Sequence, residues 1–174
     1  MEQTASVRYV GFWARLAARF VDGLIVGAAL LLANIIIVAI AGAHPRVPVA
    51  PIVDIVIGLG YFCYMTKSYG ATIGKRIVGA EVVPEHGGDL TWMTVVMREV
   101  LGKIVSSAII NIGYLMVAFT ARKQGLHDKI AQTLVVYKDP SRDTKKLVTT
   151  LNSILIAFIV LGIVAGVYAG LRAR

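Results

Sequence analysis

An aspartate stands just inside a long apolar run in the stretch GFWARLAARFVDGLIVG, residues 11–27, with Arg15 and Arg19 immediately upstream of it. A carboxylate at that depth in hydrocarbon must be neutralised, paired or wet, because lipid offers an ion nothing in place of its hydration shell. On a helix Arg15 and Asp22 share a face two turns apart, while Arg19 and Asp22 are close enough to touch. Two chemistries fit this spacing. In one, Arg15 and Arg19 anchor the chain at a cytoplasmic interface beside Phe12 and Trp13, and Arg19 neutralises Asp22. In the other, Asp22 faces neighbouring helices as an ionisable group able to bind a cation or exchange a proton.

Other polar residues narrow the chemistry. No serine, cysteine or pair of carboxylates stands in a catalytic pattern, so an enzyme is not expected. His44 and His86 are isolated and lack metal-ligand spacing, and the single cysteine, Cys63, lies in an apolar run. Neither a metal, a cofactor nor a disulfide is expected. Gly70 to Lys75 imitates a phosphate-binding loop, but the glycines are too close together and Arg76 stands where Ser or Thr must follow the lysine, which excludes ATP. Those glycines instead permit a tight turn at the membrane surface and leave Lys75 and Arg76 to meet lipid head groups. His127 is either a proton relay or a histidine bonded to a loop carbonyl.

The elements that must position these groups follow from composition. The chain has 174 residues, 57% hydrophobic and only 16% charged, too little polar surface for an ordinary soluble domain. Its net charge of +8 sits beside apolar runs, which favours anionic lipid over nucleic acid as the partner. Phe20 to Ala43 extends for about 24 residues, roughly 36 Å as a helix and enough to cross a bilayer. It is too long for the apolar part of a signal peptide, and an internal aspartate is unusual there, so cleavage after Ala43 is not expected. Helices are expected over about 12–43 and 48–67, with a last one beginning near 147 and continuing to the C-terminus.

The run Ile104 to Phe119 is shorter and contains Ser106, Ser107, Asn111 and Gly113. If it spans the membrane, the 18 Lys and Arg divide ten inside to eight outside; if it enters and leaves on one face, they divide fifteen to three. The positive-inside rule favours the second arrangement, a re-entrant or interfacial hairpin over 92–120 turning near Asn111, Ile112 and Gly113. The β-branched stretches Ile77–Val83 and Gln132–Tyr137 have strand character. Paired, they form a small cytoplasmic β element that places both ends of the hairpin on one side; unpaired, they are extended loops. Thr91 is a candidate helix cap after the polar turn Pro84–Leu90. Asp54 falls in the first turn after Pro51, where the helix dipole favours a carboxylate, and Asn34 invites a hydrogen bond to a neighbouring helix.

Three motifs, GFWARLAARFVDGLIV, YGATIGKRIVGAEVV (69–83) and KQGLHDKIAQTLVVY (123–137), occur in an order that resembles the RDD family of small prokaryotic membrane proteins. The resemblance covers residues 9–137 and makes Arg15 the family arginine, with Asp22 and Asp128 its two aspartates. It implies a helical membrane domain associated with transport, sodium/proton exchange among the suggested activities. Asp128 is expected to pair with an arginine at the cytoplasmic end of the first helix, Arg15 being the choice, which would join the first and last motifs in one buried polar cluster.

The expected architecture is an all-α membrane protein of the cell membrane with a cytoplasmic N-terminus. It has three spanning helices, the hairpin and the β element, in an RDD-like domain over 1–146 with strand and turn at 69–90 and a cytoplasmic loop at 121–146. The additional helix over 147–174 lies beyond the resemblance. Gly23 and Gly27, and Gly162, Gly166 and Gly170 with Ala165, Ala169 and Ala173 beside them, form small-residue faces suited to close helix packing within the chain, between copies or against a larger membrane protein. Two functions are expected to compete: a monovalent-cation or proton path through Arg15, Arg19, Asp22, His127 and Asp128, or a non-transporting accessory or assembly subunit in which these charges only lock the helices.

Overall fold

A computed structural model describes residues 7–41, 49–102, 104–105 and 112–172. The first apolar run forms one unbroken helix, α1 (Phe12–Ala41), which continues through Asp22. The last forms α7 (Lys145–Arg172). Both are long and apolar enough to cross a membrane. Between them α2 (Val49–Tyr69) has 21 residues and carries Asp54 and Lys67. Asp54 lies beyond the first turn of α2 and accepts a 2.9 Å hydrogen bond from Asn34 Nδ2. The dipole role expected of Asp54 therefore gives way to a cross-helix bond, because its carboxylate meets the amide that α1 presents.

After α2 the chain reverses at Gly70, whose φ of +65° belongs to the left-handed region that glycine enters without steric cost. The Gly70 carbonyl accepts from Val82 N at 2.7 Å, tying this turn to the strand that follows. A short helix α3 (Ile73–Ile77), capped by Thr72, leads into β1 (Ala80–Pro84). Then come α4 (Trp92–Val96), capped by Thr91, and a π-helical turn, Met97–Leu101. The chain continues through α5 (Ile112–Phe119), α6 (Leu126–Ile130) and β2 (Thr133–Tyr137).

β1 and β2 pair antiparallel from Ala80↔Tyr137 to Pro84↔Thr133, with Tyr9 adding an isolated bridge to Val136. Strand alternation turns Ala80, Val82, Thr133 and Val135 inward. The pairing has a topological consequence. The segment that leaves the sheet at Pro84 returns to it at Thr133, so residues 85–132 begin and end at one place, as the hairpin expectation requires. Ile112 and Gly113, expected in the hairpin turn, are instead the first residues of α5, while Asn111 lies outside the described residues.

The packed core sits at one end of the long helices. Val10, Ala14, Ala17 and Ala18 of the first segment meet Val78, Val82, Val95 and Val135 there, with Leu151 at its edge. Beyond it α1 and α7 turn large apolar side chains outward, Leu31 at 65% and Leu161 at 67% exposed. That pattern would be unfavourable in water and is what hydrocarbon surroundings permit. α7 is held to α1 near its start, where Asn152 Nδ2 donates to the Trp13 carbonyl at 3.0 Å. A Cβ built at Gly23, Gly27, Gly162 or Gly166 would meet no atom within 4 Å, so no described part of the chain packs on these faces.

Candidate functional site

Asp128 is the centre of the polar network. It lies in the first turn of α6, fully buried. Its Oδ2 accepts from the Gly125 backbone N–H at 2.8 Å, satisfying one of the unpartnered donors at the start of that helix. The same oxygen accepts from Arg15 Nη1, and Oδ1 accepts from Arg98 Nη1. Arg15 is further held by the carbonyls of Val10 and Lys123, and Arg98 by Thr133 Oγ1 at 2.6 Å and by Glu99 at 3.2 Å. One carboxylate thus joins α1, the π-helical turn and α6. Burial alone would push the Asp128 carboxyl up, but Arg98 and then Arg15 hold it well below the ordinary carboxylate range.

Asp22 makes a separate site. Its Oδ1 accepts from Tyr61 Oη at 2.7 Å and Gly74 N at 2.8 Å, and its Oδ2 from Thr72 Oγ1 at 2.7 Å. Tyr61 Oη in turn accepts from Ile73 N. Neither Arg15 nor Arg19 reaches it: among the described residues Arg19 makes no ion pair, and its guanidinium stands 4.3 Å from the centre of the Phe62 ring. The Arg19–Asp22 pairing and the joint Arg15–Asp22–Asp128 cluster are therefore corrected. The physical reason is that α3 brings free backbone N–H groups against α1, and these donors together with two hydroxyls take the carboxylate at no cost in a second buried charge. Close approach depends on Gly74, where a Cβ would collide with the Ala18 carbonyl and lie 2.9 Å from the Asp22 carboxyl carbon.

Both sites border one cavity of about 430 Å³. Arg15, Arg19, Lys75 and Arg98 line it together with Asp22 and Glu99, and Phe12, Leu16, Phe62 and Val117 supply apolar wall. Lys75, expected at the lipid surface, is turned inward and lines the cavity, with Nζ 3.8 Å from Glu99 Oε1, because the buried carboxylate offers it an opposite charge. Arg76 remains exposed, 5.5 Å from the centre of the Tyr69 ring. Among the described residues no three of His, Cys, Asp and Glu gather in a way that could hold a metal ion.

His127 also lines the cavity, 7% exposed, its ring centre 5.1 Å from that of Tyr114 and tilted 42° to it. Its Nε2 is 3.6 Å from Asp128 Oδ1, and its Nδ1 meets no hydrogen-bond partner among the described residues, so the loop-carbonyl bond expected for it is absent. Burial, reinforced by Arg98 and Arg15 and only partly opposed by Asp128, pushes its pKa down from 6.5 to about 3. The unfolded chain then binds a proton that the folded chain refuses between those values. Stability is accordingly expected to fall by about 1.4 kcal/mol per pH unit as pH drops from 6.5 toward 3. Unfolding in detergent followed from pH 6.5 to about 4.5, above the range in which Asp128 contributes, should show this slope, and His127→Gln should reduce it by that amount; an equal slope in the variant would contradict the assignment.

Sequence reading missed Arg98, Tyr61, Thr72 and Gly74. Arg98 alone left a signal, since MREV places adjacent opposite charges inside an otherwise apolar stretch. Charges in such a place need partners supplied by the fold.

The chain is 35% identical over 136 residues to the uncharacterized membrane protein YteJ of Bacillus subtilis, an alignment covering 75% of this chain and 82% of YteJ. It is 35% identical to the uncharacterized protein YxaI of the same organism, covering 74% of this chain and 97% of YxaI. With the uncharacterized protein YckC, also from B. subtilis, it shares 31% identity, covering 76% of this chain and 87% of YckC. No solved structure matches it. The RDD family model matches residues 9–132, which include Arg15, both aspartates and every residue found to hold their carboxylates, and so this membrane protein belongs to the RDD family.

Proposed function

We propose that the chain is a non-catalytic accessory or assembly subunit of the cell membrane, in which the Arg/Asp network locks the cytoplasmic end of the helices. One observation carries this reading: both family aspartates are held by donors of the fold itself, Asp128 by two guanidiniums and Asp22 by two hydroxyls and a backbone N–H. A carboxylate that works in a transport cycle has to exchange its ligands, whereas each of these is engaged by three donors of the fold. In the topology that goes with it, α1, α2 and α7 span, the N-terminus and the β element lie in the cytoplasm, and 92–120 is a re-entrant or interfacial hairpin. The fifteen-to-three division of basic residues and the common origin of the hairpin's two ends support this topology. The open glycine faces of α1 and α7 suit a second copy or a larger membrane protein.

A cation or proton path is the second reading, favoured by the fact that Asp22 borders the cavity and forms no ion pair among the described residues. Proteoliposomes decide between the two. Under an imposed sodium or potassium gradient the accessory reading expects no proton flux above protein-free vesicles. Cation-dependent flux that disappears in Asp22→Asn, with the variant still folded, would overturn it and establish the path.

A further inference from the structure

The cavity between α1, α2, α3 and the π-helical turn has the chemistry of an anion site. Four cations line it, Arg15, Arg19, Lys75 and Arg98, against the carboxylates of Asp22 and Glu99. Counting Asp128, which neutralises Arg15 and Arg98 from behind, the described groups still leave one positive charge in excess. Arg19 carries that excess: it is exposed at the rim, lies over the Phe62 ring and makes no ion pair among the described residues. The remaining wall is apolar, including Leu16, Phe62 and Val117. The buried Nδ1 of His127, a lining residue, adds a polar atom that the described protein leaves without a hydrogen bond.

Position adds a second constraint. The cavity lies against the first three turns of α1 and is lined by Phe12, whose ring centre is 5.4 Å from that of the exposed Trp13, an aromatic pair of the kind found where spanning helices meet the head-group layer. Guanidinium and ammonium groups beside an apolar wall at that depth match a phosphate ester attached to an acyl chain. A volume of about 430 Å³ is within the range of small-molecule sites and takes a head group with the beginning of a chain, the rest remaining in the bilayer. We infer that this cavity binds the phosphate head group of an anionic membrane phospholipid, with Arg19 as its rim contact. The inference does not depend on whether the chain carries ions.

The test uses the full chain purified with equimolar phosphatidylglycerol and phosphatidylcholine of identical acyl chains, with retained lipid counted by native mass spectrometry. Wild type should retain phosphatidylglycerol in preference. Arg19→Gln should reduce that preference about tenfold, the loss of one charge-assisted contact, whereas Arg76→Gln, which removes an exposed charge outside the cavity, should leave it unchanged. Equal loss in both variants would mean diffuse attraction to a basic surface and would overturn the site, as would no loss in Arg19→Gln. Displacement of the lipid by millimolar inorganic phosphate would overturn the lipid as the source of the phosphate. Photo-cross-linking of wild type with a phosphatidylglycerol analogue gives an answer that needs no variant: adducts on Phe62 or Leu16 support the site, and adducts confined to the outer halves of α1 and α7 refute it.

Discussion

Asp128→Asn is expected to destabilise the folded chain by about 3–5 kcal/mol, the usual cost of removing one partner from a buried ion network. The substitution leaves Arg98, 2% exposed, with only Glu99 as countercharge among the described residues, and deprives Arg15 of its carboxylate. Three elements lose their common anchor at once, since α1, the π-helical turn and α6 meet at this side chain. Denaturation in mild detergent measures the loss. The cost should shrink when Arg98→Met is added, because removing both charges of a buried pair is far less unfavourable than stranding one. Asp128→Asn protein with wild-type stability would show that the network contributes nothing to folding. Acid should act in the same direction. The Asp128 carboxyl is depressed in the folded state, so its contribution is complete above the ordinary carboxylate value near pH 4 and is lost as pH falls below it.

Gly74→Val is the second large effect. A side chain at this position has no room, since its first carbon would overlap the Ala18 carbonyl, which belongs to helix backbone and cannot move aside. α3 would have to withdraw from α1, and with it the Thr72 hydroxyl and the Gly74 N–H that hold Asp22. The carboxylate would keep only Tyr61 as a donor. Overpacking together with the loss of two hydrogen bonds to a buried charge amounts to about 4 kcal/mol or more. The expected readout is poor recovery of folded protein from membranes and increased proteolysis between Tyr69 and Ala80. Gly74→Ala should show the same direction with a smaller loss, and normal yield and protease resistance in both variants would refute the close packing of α3 on α1.

Much of this architecture was legible in residue order. Apolar run length and the scarcity of charge placed the chain in a membrane, because hydrophobicity summed over twenty residues depends little on how the helices are arranged. β-branched alternation at 77–83 and 132–137 indicated two strands, and two short strands gain stability only by pairing. The meeting of Arg15 with Asp128 followed from the need of each buried charge for an opposite one. The same reasoning failed for Asp22. Helical spacing makes Arg19 a neighbour of Asp22, yet spacing along one helix says nothing about which groups of another element arrive beside it.

Those arrivals were decided by tertiary structure. Gly74 lets α3 approach α1 closely enough for neutral donors to take Asp22, leaving Arg19 to lie over Phe62. The same packing turns Lys75 from the expected lipid surface toward Glu99 and brings Arg98 across thirty residues to Asp128. The sequence by itself determined that the chain enters a membrane, that it carries the RDD motifs and that its buried charges need partners, since these follow from composition and local order. Which donor each aspartate takes, and that a basic cavity opens between them, depended on ångström-scale approach of separate elements, which is a property of the packed chain alone.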